Sequence, residues 1–344
     1  SAAFADNSSS DWGTGKVVIT GAADDEVSFG TDADGVTADQ LAQITIAGEA
    51  AVINASGQIS AIVISESTFT NTGGDNLWSN AANWSAGIPN VTYAKVILND
   101  SLIIDTNVEL AQIKLAGGFG NVAISATNSS SLTINGSGVT QPIQNNGKDV
   151  DLKFDLPVLL TSSDDIETVQ ATAGGTCSIT FGENSDLTIS KNTKFTAQFK
   201  RSINLNGVLQ GSGQFQLGAA STVTFGSTSN NSSFSGGFKM LGKNSTLTVN
   251  TAADGTFLPS GSSIQPDTSS TGHTITVNTA NVFKGNLIIS GNPLSLEINA
   301  NQSAVETIIM GAGTLNLSLD AAVTTLAFAD NSSAEWGTGT LAIT

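Results

Sequence analysis

The amino-acid sequence predicts an all-β protein, a right-handed parallel β-helix (β-solenoid), with one short helix near residues 37–44. Short segments alternate apolar with small polar residues, the period of two that is typical of strands buried on one face. Many of these segments restart after about 20–30 residues, the length of one solenoid turn. The 36 glycines and only 6 prolines suit sharp corners between hydrogen-bonded strands. An array of β-sandwiches is the alternative architecture.

The predicted strands share bounding Gly, Asn, Asp or Ser residues, which tolerate turn conformations. They lie near residues 95–98, 102–104, 111–115, 122–125, 132–134, 186–189, 222–225, 246–249, 274–277, 294–298 and 314–317. The alternation predicts which side chains point into the core. These are Leu132, Ile134, Leu247, Val249, Ile275 and Val277.

A short helix is predicted where Thr37 is followed three residues later by Gln40. This spacing is a capping box, in which the two side chains hydrogen-bond the first backbone N–H groups of a helix. Leu41 and Ile44 would then face the core.

One segment occurs twice. Residues 4–20 and 328–344 align without a gap at an offset of 328 − 4 = 324 residues, and 12 of the 17 aligned residues are identical. Trp12 aligns with Trp336, and Ile19 with Ile343. Such self-similarity predicts a tandem repeat with a period of about 324 residues. We expect the chain to be a slice of a longer tandem-repeat polypeptide.

Composition narrows the classes of function. Charged residues make up 12% of the chain, and 29 acidic against 12 basic residues give a net charge of −17. With one arginine, Arg201, and scattered lysines, no basic stripe is available for a nucleic-acid backbone. No run approaches the roughly 18 apolar residues that cross a bilayer, so membrane insertion is not expected. The single cysteine, Cys177, allows no disulfide within the chain and is predicted to be a buried strand residue.

Two candidate ligand sites have simpler alternatives. Asp32 and Asp34, beside Gly35, are weak candidates for Ca²⁺, but the pattern lacks the terminal Glu of a calcium loop, so solvated turns are the alternative. Trp78 and Trp84 could stack on sugars. The favoured interpretation is that they cover the open end of the solenoid, with Asn83 bonding backbone groups there.

Catalytic patterns are weak. His273 lies in a strand pattern without a Cys or acidic neighbour, and no Gly-x-Ser-x-Gly elbow follows a strand. We therefore expect a protein that is not an enzyme and needs no cofactor. A polysaccharide lyase or hydrolase is the least favoured alternative.

Two stretches resemble a known group of proteins. The stretch Trp78-Ser79-Asn80-Ala81-Ala82-Asn83-Trp84-Ser85-x-Gly87-x-Pro89 resembles the opening motif of autotransporter-associated β-strand-repeat passenger proteins of bacteria. Residues 326–333 with Trp336 are similar to a module ending that recurs in these proteins, many of which carry cell-surface sorting signals. The resemblance implies an extracellular, β-helical protein.

These observations predict three regions: the end of a preceding repeat module at 1–65, a β-helix module at 66–327, and the start of the repeated end segment at 328–344. The expected function is an extracellular structural protein whose repeats form a cell-surface fibre. An adhesin that binds glycans is the alternative. Residues expected to cap the modules or join them to neighbouring repeats are Phe4, Trp12, Trp78, Asn83, Trp84, Phe328, Trp336 and Ile343.

Overall fold

The computed structural model shows a nearly all-β protein, with about half of its residues in strands. It describes every residue except 1, 21–26, 47–48, 62–65, 90–93, 117–119, 137–138, 140–141, 146–150, 163–164, 170–177, 198–200, 232, 251–256, 258–261, 267–270, 283–285, 290–292, 306, 311–313 and 329–339. Cys177 and Trp336 lie outside the described residues. The chain divides into two compact units, Ser1–Ser65 and Glu66–Thr344.

The first unit is a mixed sheet. Its strands are β1 (Ala2–Phe4), β2 (Val17–Ile19), β3 (Val27–Phe29), β4 (Ile44–Ile46), β5 (Glu49–Ile53) and β6 (Gln58–Ala61), in the order β1-β3-β6-β5-β4-β2. The two outer strands pair in parallel, β1 with β3 and β2 with β4, whereas the inner pairs are antiparallel. The buried core of the unit comprises Phe29, Val36, Ile44, Ile46, Ala51 and Ile59.

The predicted helix is confirmed as α1 (Ala38–Leu41). Thr37 Oγ1 accepts from the N–H of Gln40 at 3.2 Å, and Gln40 Oε1 accepts from the N–H of Thr37 at 2.7 Å. This is the capping box that the spacing predicts. The same buried Gln40 donates from Nε2 to the carbonyls of Asn7 and Ser10, which ties the helix to the segment before it.

The second unit contains the remaining strands and a 3₁₀ helix, Ala81–Asn83. The strands are β7 (Glu66–Phe69), β8 (Lys95–Leu98), β9 (Leu102–Ile104), β10 (Val108–Leu110), β11 (Gln112–Leu115), β12 (Val122–Ala126), β13 (Leu132–Ile134), β14 (Ile143–Asn145), β15 (Asp151–Asp155), β16 (Val158–Leu160), β17 (Asp165–Val169), β18 (Ser178–Phe181), β19 (Asp186–Ile189), β20 (Lys194–Ala197), β21 (Ser202–Leu205), β22 (Val208–Gly211), β23 (Gln214–Leu217), β24 (Thr222–Phe225), β25 (Gly237–Met240), β26 (Thr246–Val249), β27 (Ser263–Pro266), β28 (His273–Val277), β29 (Asn286–Ile289), β30 (Leu294–Ile298), β31 (Gln302–Val305), β32 (Thr307–Met310), β33 (Thr314–Leu319), β34 (Leu326–Phe328) and β35 (Thr340–Ile343).

These strands build a parallel β-solenoid of about ten turns. Two sheets of eleven strands run from β7 to β32 and from β9 to β35, a third of five strands runs from β10 to β22, and β31 pairs with β34. The predicted parallel solenoid is therefore confirmed, while its right-handedness stays a prediction. A β-sandwich is excluded because the sheets of this unit pair in parallel.

The core is built by stacking equivalent positions of successive turns. One ladder runs Leu247, Ile275, Leu296 and Leu317, and its members are at most 2% exposed. A second ladder carries the aromatic pair Phe154 and Phe181, whose rings stack at 5.2 Å. All six side chains predicted to point inward are fully buried: Leu132, Ile134, Leu247, Val249, Ile275 and Val277. Period-two alternation therefore places one apolar face in a continuous core.

Candidate functional site

The solenoid begins with a cluster of three aromatic rings. Trp84 packs edge-on against both Phe69 and Trp78, with ring centroids 5.1 and 4.7 Å apart. Trp84 Nε1 donates to the carbonyl oxygen of Trp78 at 2.8 Å. Trp78 is 1% exposed and Trp84 5% exposed, so neither indole offers the open face that sugar stacking requires.

Asn83 organises the backbone around these rings. Its Oδ1 accepts from the N–H of Gly73 at 2.8 Å, and its Nδ2 donates to Asp75 at 2.7 Å and to the carbonyl of Leu77 at 2.9 Å. The donated hydrogen bond of Asn83, followed by those of the Leu77 N–H and the Asn80 side chain, lowers the pKa of Asp75. A fully buried amide with three partners fixes the path of the segment.

The same segment supplies backbone partners to the first turn. β7 pairs with β8, and the N–H of Trp78 donates to the carbonyl of Ile103 at 2.9 Å. In return, the N–H of Ile103 donates to the carbonyl of Asn76 at 2.8 Å. These bonds satisfy an edge that would otherwise present open N–H and C=O groups.

The repeated segment exposes apolar side chains in both of its copies. Phe4 is 51% exposed although one face of its ring stacks on Phe29, with centroids 5.0 Å apart. Ile343 is 64% and Leu341 36% exposed. Trp12 is half-buried and packs against Phe29, with ring centroids 5.7 Å apart. Phe328 lies at the end of β34, and nothing is described of its side chain. Large exposed apolar groups gathered in one sequence element mark a surface suited to association.

The two calcium candidates lie together in an exposed turn. Asp32 Oδ1 accepts from the N–H of Asp34 at 3.1 Å, so this carboxylate is engaged by its own loop. Within the described ranges, no three His, Cys, Asp or Glu side chains gather closely enough to hold a metal ion. A Ca²⁺ site at these residues stays a prediction.

The serine and histidine that come together in the solenoid are enclosed. Ser245 Oγ lies 2.7 Å from His273 Nδ1, and the two residues are 0% and 1% exposed. A substrate could reach this pair only if the turns separated. The contact therefore joins neighbouring turns through a polar bond inside the core.

The described surface includes two open depressions that bear on binding. One is a groove of about 350 Å³ on the solenoid, formed largely by small side chains with Lys194 at its wall. The other, of about 420 Å³, lies in the first unit and is lined by Trp12, Asp11, Asp39 and Gln43. The second depression combines an aromatic ring with carboxylates and amides, and these polar groups can hydrogen-bond hydroxyls.

No helix in the described part of the chain is long and apolar enough to cross a membrane.

Sequence reasoning finds Asn83 and the two tryptophans but misses their partners. Asp75 binds Asn83, and Asp105 accepts from the N–H of Ser79 at 3.1 Å from 26 residues away. Asp75 lies eight residues before Asn83, so its closeness in sequence is the one available signal. Asp105 follows β9, and its contact depends on how the first turn stacks.

No family model, curated protein or solved structure matches the chain. The resemblance to autotransporter-associated β-strand-repeat proteins therefore stays a prediction.

Proposed function

We propose that the chain is one period of an extracellular tandem-repeat β-solenoid that builds a cell-surface fibre. The observation that supports this most is the combination of two features: parallel turns stacked on one continuous core, and a segment that recurs after 324 residues. Turns that contact only their neighbours can be extended along one axis without redesigning the core.

The material properties of such a fibre follow from its chemistry. Each turn is joined to the next by backbone hydrogen bonds between parallel strands that lie about 4.8 Å apart. Outward positions carry mainly Ser, Thr, Asn and Gln, as in Thr246-Leu247-Thr248-Val249, where Leu247 and Val249 are buried and both threonines are half-buried. The chain carries a net charge of −17, so fibres that lie side by side repel each other.

Two measurements test the proposal. Antibodies raised against the chain should label intact cells. Labelling that appears only after the cells are lysed would contradict the proposed extracellular location. Electron microscopy of a chain with several consecutive periods should show rods with a constant axial step. Separate globules joined by flexible links would contradict a fibre function.

A second candidate function, glycan adhesion, is favoured by the cleft at Trp12. The half-buried indole and the carboxylates of Asp11 and Asp39 lie in one depression with Gln43. Glycan-array binding tests this function. An adhesin is supported if Trp12→Ala abolishes binding while Val18→Ala, a control at an exposed residue, leaves it unchanged. Equal binding by both variants would remove this cleft from consideration.

A further inference from the structure

The repeated segment is paired differently in its two copies. The first copy begins at Phe4, the last residue of β1, and contains β2; these are the two edge strands of the six-stranded sheet and pair with β3 and β4. Adding 324 to these positions gives 326–328 and 341–343, which fall in β34 and β35. In this second copy the strands pair with β31 and β33 of the last solenoid turn.

The two copies use opposite edges of the first of these strands. In the first copy the carbonyl of Phe4 accepts from the N–H of Gly30 at 3.0 Å, on the side of β3. In the second copy the carbonyl of Thr325 accepts from the N–H of Gln302 at 2.9 Å, on the side of β31. Phe4 corresponds to position 328, three residues after 325, and successive residues of a strand point their backbone groups to opposite edges.

The other strand follows the same rule. The N–H of Val17 donates to the carbonyl of Gln43 at 3.0 Å, beside β4. The N–H of Thr344 donates to the carbonyl of Leu317 at 2.9 Å, beside β33. Val17 corresponds to position 341, again three residues from 344. Among the described residues, each copy therefore has no strand on the edge that the other copy uses, and that edge is available to a second partner.

Side chains complement each other in the same way. Ile19 packs against the core of the first unit and is in register with Ile46, whereas its counterpart Ile343 is in register with Leu317 and 64% exposed. The position of Ile19 and Ile343 thus has one apolar partner in the first unit and another in the solenoid. At the other strand, the backbone of Phe4 is paired with that of Phe29, and the backbone of its counterpart Phe328 with that of Val305, next to a shift of register between Gln302 and Val305.

We propose that, in a continuous repeat, one copy of the segment fills both roles and joins two periods through its two edges. This rests on the proposed function, since it requires a following period. The strand at 326–328 would lie between β31 of one period and β3 of the next, and the strand at 340–343 between β33 and β4. Both outer edges of the six-stranded sheet then continue into the last turn of the preceding solenoid, and the partner that covers the exposed Leu341 and Ile343 is a second period of this chain.

Hydrogen exchange resolved to single amides tests the joint without any substitution. The probe is a chain of two periods, residues 1–344 followed by a second copy of residues 21–344. The N–H groups of Leu341 and Ile343 point away from β33, so in the two-period chain they should exchange at least about tenfold more slowly than in the single chain. The N–H groups of Val17 and Ile19 at the start of the chain, already paired with β4, should be unchanged. Unaltered exchange at Leu341 and Ile343 would overturn the proposal.

A cross-link tests the register independently. Asn316 is paired with Ala342, and Val18, the counterpart of Ala342, with Thr45. Cysteines replacing Asn316 in the first period and Thr45 in the second, with Cys177→Ala throughout, should lie about 10 Å apart, two strand separations. A short bismaleimide should link them in the two-period chain, and a single-period chain with the same substitutions measures any link within one period. Protection at Leu341 and Ile343 together with the cross-link would support the joint even if the fibre function proved wrong. Unaltered exchange, or a cross-link no stronger than in the single-period chain, would overturn the joint even if a multi-period chain forms regular rods.

Discussion

At the scale of single residues, Trp78 and Trp84 occupy one buried cluster but differ in one hydrogen bond. Trp84 Nε1 donates to the carbonyl of Trp78, whereas Trp78 Nε1 has no partner among the described residues. Replacement of either by Phe removes similar volume, but Trp84→Phe also removes a buried bond. We expect Trp84→Phe to lower the free energy of unfolding by about 1–2 kcal/mol more than Trp78→Phe. Urea unfolding of the matched pair measures the difference, and equal costs would contradict the assigned donor.

Asp75 gives the opening segment a pH dependence whose direction follows from its pKa. The Asn83 side chain and the Leu77 N–H bond the ionised carboxylate, so the pKa of Asp75 is lower in the folded chain than its ordinary value of 3.8. A carboxyl with a lowered pKa stabilises the fold above its unfolded pKa, and this contribution is lost as pH falls through the folded pKa. Asp75→Asn should therefore be less stable than the native chain at about pH 6. The difference should shrink as the pH is lowered below about 4. A difference that stays constant down to pH 2 would contradict this role.

At the scale of elements, the close stacking of turns is enforced by glycines that have no room for a side chain. A Cβ atom at Gly236 would overlap the carbonyl oxygen of Gly213 on the neighbouring turn. The next residue, Gly237, is the matched control, since its Cβ would lie 3.3 Å from the movable hydroxyl of Ser263. We expect Gly236→Ala to destabilise the second unit by about 1–3 kcal/mol, and Gly237→Ala by less than about 1 kcal/mol. Thermal unfolding compares them, and similar melting temperatures would show that the turns separate easily.

The strands and their inward faces are predictable because alternation is a local property. Leu247 and Val249 flank Thr248, and this pattern suffices to bury the two apolar residues. Pairing direction is not local. The antiparallel turn between β5 and β6 depends on Asn54 Oδ1, which accepts from the N–H groups of Ser56 and Gln58. Alternation in those strands is the same for parallel and antiparallel neighbours, so the sequence does not predict the mixed sheet of the first unit.

The candidate site was predictable to the same extent. Repetition in sequence identifies Phe4, Trp12 and Ile343 as special, because identical residues recur at a fixed distance. It does not reveal which edge of a strand is paired. That information resides in long-range bonds, such as those of Gly30 to Phe4 and of Thr344 to Leu317. The joint therefore required the three-dimensional pairing of both copies.

At the scale of the whole molecule, stability depends on packing and backbone hydrogen bonds while the charges oppose it. Lys153 and Asp155 form an ion pair at 3.6 Å, and it is partly exposed to solvent. Such a pair contributes about 0–1 kcal/mol. The net charge of −17 adds a repulsion that opposes the compact state.

Added salt should therefore stabilise the chain at neutral pH. The screening length falls from about 30 Å at 0.01 M salt to about 3 Å at 1 M, so repulsion between separated carboxylates is removed while the buried core is little affected. We expect the melting temperature at pH 7 to rise between 0.01 and 0.5 M NaCl. The same series near pH 4, close to the isoelectric point of about 4.1, is the control, because the net charge is then near zero and the rise should largely disappear. A melting temperature that falls with salt at pH 7 would mean that attractive ion pairs outweigh the summed repulsion.

In a fibre, the same screening at pH 7 should reduce the repulsion between rods and let them associate side by side. Light scattering of a multi-period chain would detect this association.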